Sequence, residues 1–286
     1  MSGNKKLRKN DIRPSDIKAN IYDSVELIID IHGITRQDIE YVLKELNEIL
    51  PAEYYSRTDD SLTPQEINDY GDRRDSLLSW ATRKRYLDTE NVVRYYSKDN
   101  SEQITISRLF ISIYLSYEIA HVLKDNIELL DKIVKVFNTL EYFEVEKIFL
   151  VKKDSIYCSS LFKMYQCFDK KMFADVGYLL DRTVQGIDYG VTRVYNNFSY
   201  GNAEVIVNKE IMEGTLSDSN EIVYEGKMET IVSQEPSEDE VSINDVLNDL
   251  NSISFKVFMC HITDNFARDL VNGKSSKVKM GVNRYE

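Results

Sequence analysis

Val25-Glu26-Leu27-Ile28-Ile29-Asp30-Ile31-His32, followed at once by Gly33 and a segment of different period, is the stretch that decides the fold. Val25, Leu27, Ile29 and Ile31 alternate with Glu26, Ile28, Asp30 and His32, a period of two that gives a β-strand one apolar face. After Gly33 the period changes. Thr35 stands three residues before Asp38, a loose form of capping box. Ile39, Val42, Leu43, Leu46, Ile49 and Leu50 then recur at helical spacing until Pro51 stops them. A strand that hands over to an amphipathic helix across one glycine calls for a sheet with a helix packed on it.

Toward the C-terminus, residues 53–75 are polar and read as a surface excursion with one short helix starting at Thr63-Pro64. Strand patterns resume at Leu77 to Thr82, at Asn91 to Tyr96 and most strongly over Gln103 to Tyr117. A second helix is expected from Asn126 to Phe143, with Leu129, Leu130, Ile133, Val134, Phe137 and Leu140 on its stripe, and a strand from Val145 to Tyr157 follows. Short helical patterns over 159–168 and 171–178 lead into three β-like runs at 183–198, 204–213 and 221–232, separated by turn residues such as Tyr200-Gly201-Asn202. Last comes one long amphipathic helix. Ser242 and Asp245 resemble a capping box, and Ile243, Val246, Leu247, Leu250, Ile253, Val257, Phe258, Ile262, Phe266 and Leu270 trace its stripe to a stop at Gly273. The stripe is wider than a coiled-coil seam, which favours packing across a sheet over dimerisation.

This order predicts an α+β fold: an antiparallel sheet in two related halves, with packed helices and a long C-terminal amphipathic helix. The halves are placed at residues 20–157, an N-terminal α+β half, and 158–273, a β-meander plus the long helix. Residues 1–19 and 274–286 are expected to be flexible tails.

The 286 residues suffice for a sizeable core, with 42% hydrophobic and 29% charged residues in a globular range. A formal net charge of −12 repels phosphate backbones and anionic lipid, which disfavours nucleic acid as a partner. The 19 tyrosines suit half-buried sheet positions or a contact surface. Cys158, Cys167 and Cys260 are odd in number and form no disulfide framework, which fits a reducing compartment. The first residues are polar and basic, without the apolar run of a signal peptide, and no stretch approaches the ~18 apolar residues of a membrane span. A cytoplasmic location, with no membrane partner, is therefore expected.

The chain also resembles a sporadically distributed, functionally uncharacterised bacterial protein family. The likeness is carried by the strand–helix of Val25 to Leu50 and the strand–helix–strand of Ile104 to Lys152, with Phe143-Glu144-Val145-Glu146-Lys147-Ile148. It extends to Ile211-Met212-Glu213-Gly214 and to the terminal Leu247-Asn248-Asp249-Leu250-Asn251, Phe255, Phe258, Ile262-Thr263. The resemblance implies a prokaryotic, cytoplasmic α+β protein with no agreed catalytic residues. It also places the protein near mobile or defence genes, and so in phage–host conflict.

No catalytic motif is present. GxxxxGK[ST], GxGxxG, GxSxG and HExxH are all missing, which removes phosphate-loop, Rossmann, α/β-hydrolase and zincin chemistry. The histidines His32, His121 and His261 and the cysteines fall in no zinc-ligand spacing, so no metal and no cofactor are expected. Cys260 and His261 adjoin on a helix and point about 100° apart, which reads as a core cysteine beside a boundary histidine. A Cys–His nucleophile from Cys158 or Cys167 with His121 has no support in spacing.

One alternative is a metal-dependent nuclease. Glu225-Gly226-Lys227 sits in a β-like run, and Asp188 or Glu204 on a neighbouring strand could share Mg²⁺ with Glu225 beside Lys227. Solvated strand-face charges are the commoner origin of such a pattern. A second alternative is single-strand binding by Arg83, Lys84, Arg85 and Tyr86, with Arg73, Arg74, Arg94, Tyr95 and Tyr96 nearby. Asp72, Asp75, Asp88 and Glu90 dilute that cluster. The missing catalytic constellations, the tyrosine-rich strands and the charged tails point instead to a non-enzymatic component that binds a protein partner or a second copy.

Overall fold

A computed structural model describes residues 8–19, 22–51, 54–59, 92–116, 123–173, 191–215, 222–236, 242–273 and 284–285. The fold is α+β, and the chain forms two compact units. The first comprises Ser24–Val151 and Ser233–Leu250, the second Met1–Asp23, Lys152–Val232 and Asn251–Glu286.

In the first unit, β1 (Tyr22–His32) leads through Gly33 to α1 (Arg36–Ile49). The capping box forms as expected: the Thr35 hydroxyl accepts from the Asp38 amide at 3.3 Å, and the Thr35 amide donates to the Asp38 carboxylate at 2.8 Å. The Thr35 hydroxyl also lies 2.6 Å from Asp38 Oδ2, and that bond, followed by the one from the Thr35 amide, holds the Asp38 carboxyl below its ordinary range. Gly33 is required at its position, because its φ is +78° and a Cβ there would overlap the Tyr142 carbonyl. Strands β2 (Tyr55–Asp59), β3 (Val92–Tyr96), β4 (Glu102–Ile106) and β5 (Phe110–Ser116) pair antiparallel in sequence, and β5 pairs antiparallel with β1. β1 is flanked on its other side by β6 (Glu144–Cys158). The core of this unit includes Leu27, Ile29, Ile104, Ile111 and Ile113 from the strands. Val42 and Leu46 of α1 join them, with Leu130, Ile133 and Phe137 of α2 (Leu123–Phe137).

Two expectations are corrected here. The run Gln103 to Tyr117 is two strands, because the buried Ser107 folds a turn with its own side chain. Its hydroxyl accepts from the Leu109 and Phe110 amides at 3.1 and 3.0 Å and lies 3.1 Å from the Phe110 carbonyl. The helix expected to reach Phe143 stops at Phe137, where the Thr139 hydroxyl donates to the Val136 carbonyl at 2.7 Å.

In the second unit the strand order is β6, then β9 (Ile222–Gln234), β8 (Ala203–Thr215) and β7 (Val191–Tyr200). β7 and β8 pair antiparallel from Val191↔Met212 to Tyr200↔Ala203, closed by Gly201-Asn202 with Gly201 at φ +61°. The two-residue β10 (Arg284–Tyr285) runs parallel to the end of β6. After β6 comes α3 (Leu161–Cys167), with the Ser160 hydroxyl accepting from the Lys163 amide at 3.2 Å.

The long last helix is interrupted. It is α4 (Ile243–His261) followed by α5 (Asp264–Val271). Thr263 causes the break, since its hydroxyl caps the Phe266 amide at 3.2 Å and its own amide donates to the Cys167 carbonyl at 2.8 Å. The carbonyls freed at the end of α4 find partners at once. Lys9 Nζ donates to the Ile262 and Cys260 carbonyls at 2.9 and 3.4 Å, and the Asp169 amide donates to the His261 carbonyl at 2.7 Å. No helix among the described residues is long and apolar enough to cross a membrane.

Candidate functional site

The alternation of β9 sorts its side chains. Gly226, Met228 and Thr230 are buried, while Glu225, Lys227 and Glu229 are half-buried on the opposite face. β6 continues the pattern, with Lys152, Asp154, Ile156 and Cys158 buried and Lys153 and Tyr157 on the polar side with Ser155. On that polar side the groups satisfy one another. The Tyr157 hydroxyl donates to Glu225 Oε1 at 2.7 Å, and Lys227 Nζ lies 3.1 Å from the same oxygen. Lys153 pairs with Glu229 at 3.4 Å, and the Ser155 hydroxyl donates to Asp23 Oδ1 at 2.6 Å. Burial, then the bond to Glu225 and the charges of Glu225 and Asp23, push the Tyr157 hydroxyl pKa upward. Tyr157 is thus a fixed donor, not a base.

Glu225 and Lys227, the two residues singled out for metal-assisted cleavage, are therefore adjacent. Their contacts form a cross-strand ladder of charge and hydroxyl. Among the described residues no three of His, Cys, Asp and Glu converge as a metal centre. Asp188 lies outside the described residues, and Glu204 is on β8 opposite Ser199 of β7. The glycine between the pair has a packing role, because a Cβ on Gly226 would run into Met164 of α3, within 2.9 Å of Cε and 3.0 Å of the Phe168 ring.

The basic–aromatic cluster divides differently. Arg83, Lys84, Arg85 and Tyr86 lie outside the described residues. Tyr95 and Arg94 of β3 are both buried, so neither side chain is presented for stacking or phosphate contact. Burial also raises the Tyr95 hydroxyl pKa.

Histidine and cysteine have structural settings. His32 Nε2 lies 2.8 Å from Glu144 on the surface, and His121 is outside the described residues. His261 is buried, with Nδ1 2.8 Å from the Val257 carbonyl and its ring edge-on to Phe173 at 6.3 Å. Burial first, outweighing the Val257 bond, lowers its pKa. The ring is neutral, and its Nδ1–H donates to that carbonyl. Cys260 next to it is exposed. Cys158 and Cys167 are buried against each other, and their hydrogen bond, followed by burial, pushes the Cys167 thiol up, away from nucleophilic chemistry at neutral pH.

Two further features are not marked by any motif. Lys152 is a buried amine whose Nζ donates to Asn251 Oδ1 at 2.6 Å and to the Tyr22 hydroxyl at 3.4 Å, 5.0 Å above the Tyr22 ring. Burial pushes its pKa down to about 8, with the charge of Asp154 opposing. The other is β7. Every residue from Tyr195 to Tyr200 is exposed, including Tyr195 at 60%, Phe198 at 40% and Tyr200 at 47%. β7 ends the strand order beyond β8. Lys256 of α4 lies 3.4 Å from the Tyr200 hydroxyl, with its Nζ 5.4 Å from the ring centroid. A charge-free run from Val194 to Ala203, in a chain with 29% charged residues, is the signal that marks this strand in the sequence.

No known protein family matches the chain, and no curated protein aligns with it significantly.

Proposed function

We propose that this protein is a non-enzymatic interaction component that binds another protein strand along β7. The observation that carries this reading is the exposed, terminal β7 with Tyr195, Phe198 and Tyr200 standing out of it. A terminal strand offers a row of backbone donors and acceptors, and proteins that remain monomeric blunt such edges with lysine, proline or a bulge. From Val194 to Tyr200 β7 has no charged residue and no proline, and its register with β8 runs without a bulge. Strand addition draws affinity from main-chain hydrogen bonds and specificity from alternate side chains, and aromatic residues are enriched at such contacts. A place in a bacterial multi-protein system, and in antiviral defence, rests on the family resemblance alone.

A photo-crosslinking phenylalanine analogue at position 198, compared in cells with the same analogue at the exposed Tyr142, tests the reading. A discrete adduct formed from position 198 and not from 142, and lost when Asn196 and Asn197 are both changed to lysine, is expected. Identical adduct patterns from the two positions would overturn it.

A further inference from the structure

Resting on the reading of β7 as an interaction edge, we infer that its occupant is a second copy of this chain, joined β7 to β7 in antiparallel pairing about a two-fold axis. Antiparallel pairing sets side chains of the same sheet face opposite one another. In β7 that face alternates, with Val194, Asn196, Phe198 and Tyr200 on the side of Lys209, Val207, Val205 and Ala203 of β8, and Tyr195, Asn197 and Ser199 on the other. A two-fold axis normal to the sheet must pass midway between one residue of β7 and its own copy. Asn197 is central in the exposed run and Asn196 adjoins it, and the amide of either can pair with its own copy.

Both registers are self-complementary. With the axis at Asn196, that asparagine faces its own copy, Val194 faces Phe198 and Tyr195 faces Asn197. With the axis at Asn197, that residue faces itself, Val194 faces Tyr200, Tyr195 faces Ser199 and Asn196 faces Phe198. An asparagine opposite itself can exchange amide donor for amide acceptor. In either case Val194 meets an aromatic ring, a favourable cross-strand pair, and no like charges stand opposite each other from Val194 to Tyr200. That absence matters in a chain of net charge −12, where two copies repel over most of their surface. At physiological ionic strength this repulsion is screened beyond about 8 Å. An isologous contact of this kind closes on itself, so association stops at two copies.

Sedimentation equilibrium on the purified full chain at 0.15 M salt is expected to give twice the 33.3 kDa chain mass. Changing Asn196 and Asn197 together to lysine places a lysine opposite itself in either register, on side chains already exposed. The expected result is loss of the dimer with unchanged far-UV circular dichroism and, at concentrations low enough for the unmodified chain to dissociate, an unchanged denaturation midpoint. A wild-type chain that stays monomeric at all concentrations overturns the inference, as does a dimer that survives the double substitution. If the chain is monomeric while the adduct from position 198 contains a different protein, the second copy is excluded and the reading of β7 stands. If position 198 forms no specific adduct and the chain is monomeric, both fall.

Discussion

Strands β1 and β7 differ in what surrounds them. In β1 the residues Leu27, Ile28, Ile29, Asp30 and Ile31 are buried consecutively, so both of its faces are covered. In β7 the six residues from Tyr195 to Tyr200 are exposed consecutively, so both faces meet solvent. Burial of apolar area is the dominant favourable term in folding. The stability of the first unit therefore draws on strands such as β1, while β7 contributes little to stability and leaves an edge and aromatic side chains exposed. A surface that is dispensable for folding can be changed without unfolding the chain, which makes the division testable residue by residue.

The largest expected difference is between truncations in the two strands. Leu27→Ala, at a fully buried site, is expected to cost about 2 to 5 kcal/mol in denaturant unfolding. Phe198→Ala, measured at concentrations where the chain is monomeric, is expected to stay within about 0.5 kcal/mol of the unmodified chain. Equal costs would erase the contrast.

Lys152 sharpens it from the other side, as a charge buried with only a few polar partners. Below about pH 8 the amine is protonated in both folded and unfolded chains, and folding bears the cost of burying the charge. Between pH 8 and 10.5 the unfolded chain binds more protons, so this residue makes stability rise with pH. Lys152→Met is expected to abolish that rise and to destabilise the protein near neutral pH, because it breaks the bond to Asn251 and leaves the buried Asp154 without the positive charge beside it. Denaturation midpoints of the two proteins across pH 7 to 11 read this directly. Parallel curves would remove Lys152 as the cause.

Gly226→Ala, which presses on Met164, is expected to cost about 1 to 3 kcal/mol. If it instead left stability unchanged and abolished an activity, Glu225-Gly226-Lys227 would return as a functional motif. At the helix break, Thr263→Ala should cost about 1 kcal/mol.

The sequence was most legible where local chemistry and period agreed. β1 with its helix α1 shows this, since the Thr35–Asp38 pair and the apolar stripe mark the same start. It was least legible where a side chain did what glycine or proline usually does. Ser107 turns β4 into β5, Thr139 helps end α2, and Thr263 restarts a helix inside an unbroken apolar stripe. The stripe continues through the break because α5 also buries Phe266 and Leu270. Of the candidate site, the pairing of Glu225 with Lys227 follows from their two-residue spacing on one strand. The burial of Arg94 and Tyr95 could not be read, because their pattern on β3 is that of an exposed strand. Tyrosine content suggests a contact surface without locating it, and that β7 ends the strand order is visible only in the structure.

β1 also imposes a schedule on synthesis. Its neighbours in the sheet are β5 and β6, and β6 begins only at Glu144. At a ribosomal rate of about 5 to 20 residues per second, β1 waits on the order of ten seconds for its second neighbour to be made. During that interval Leu27 to Ile31 is an apolar segment with nothing to pair against on one side. An apolar strand with one edge unpaired is prone to aggregate, so that interval is when the growing chain is most vulnerable.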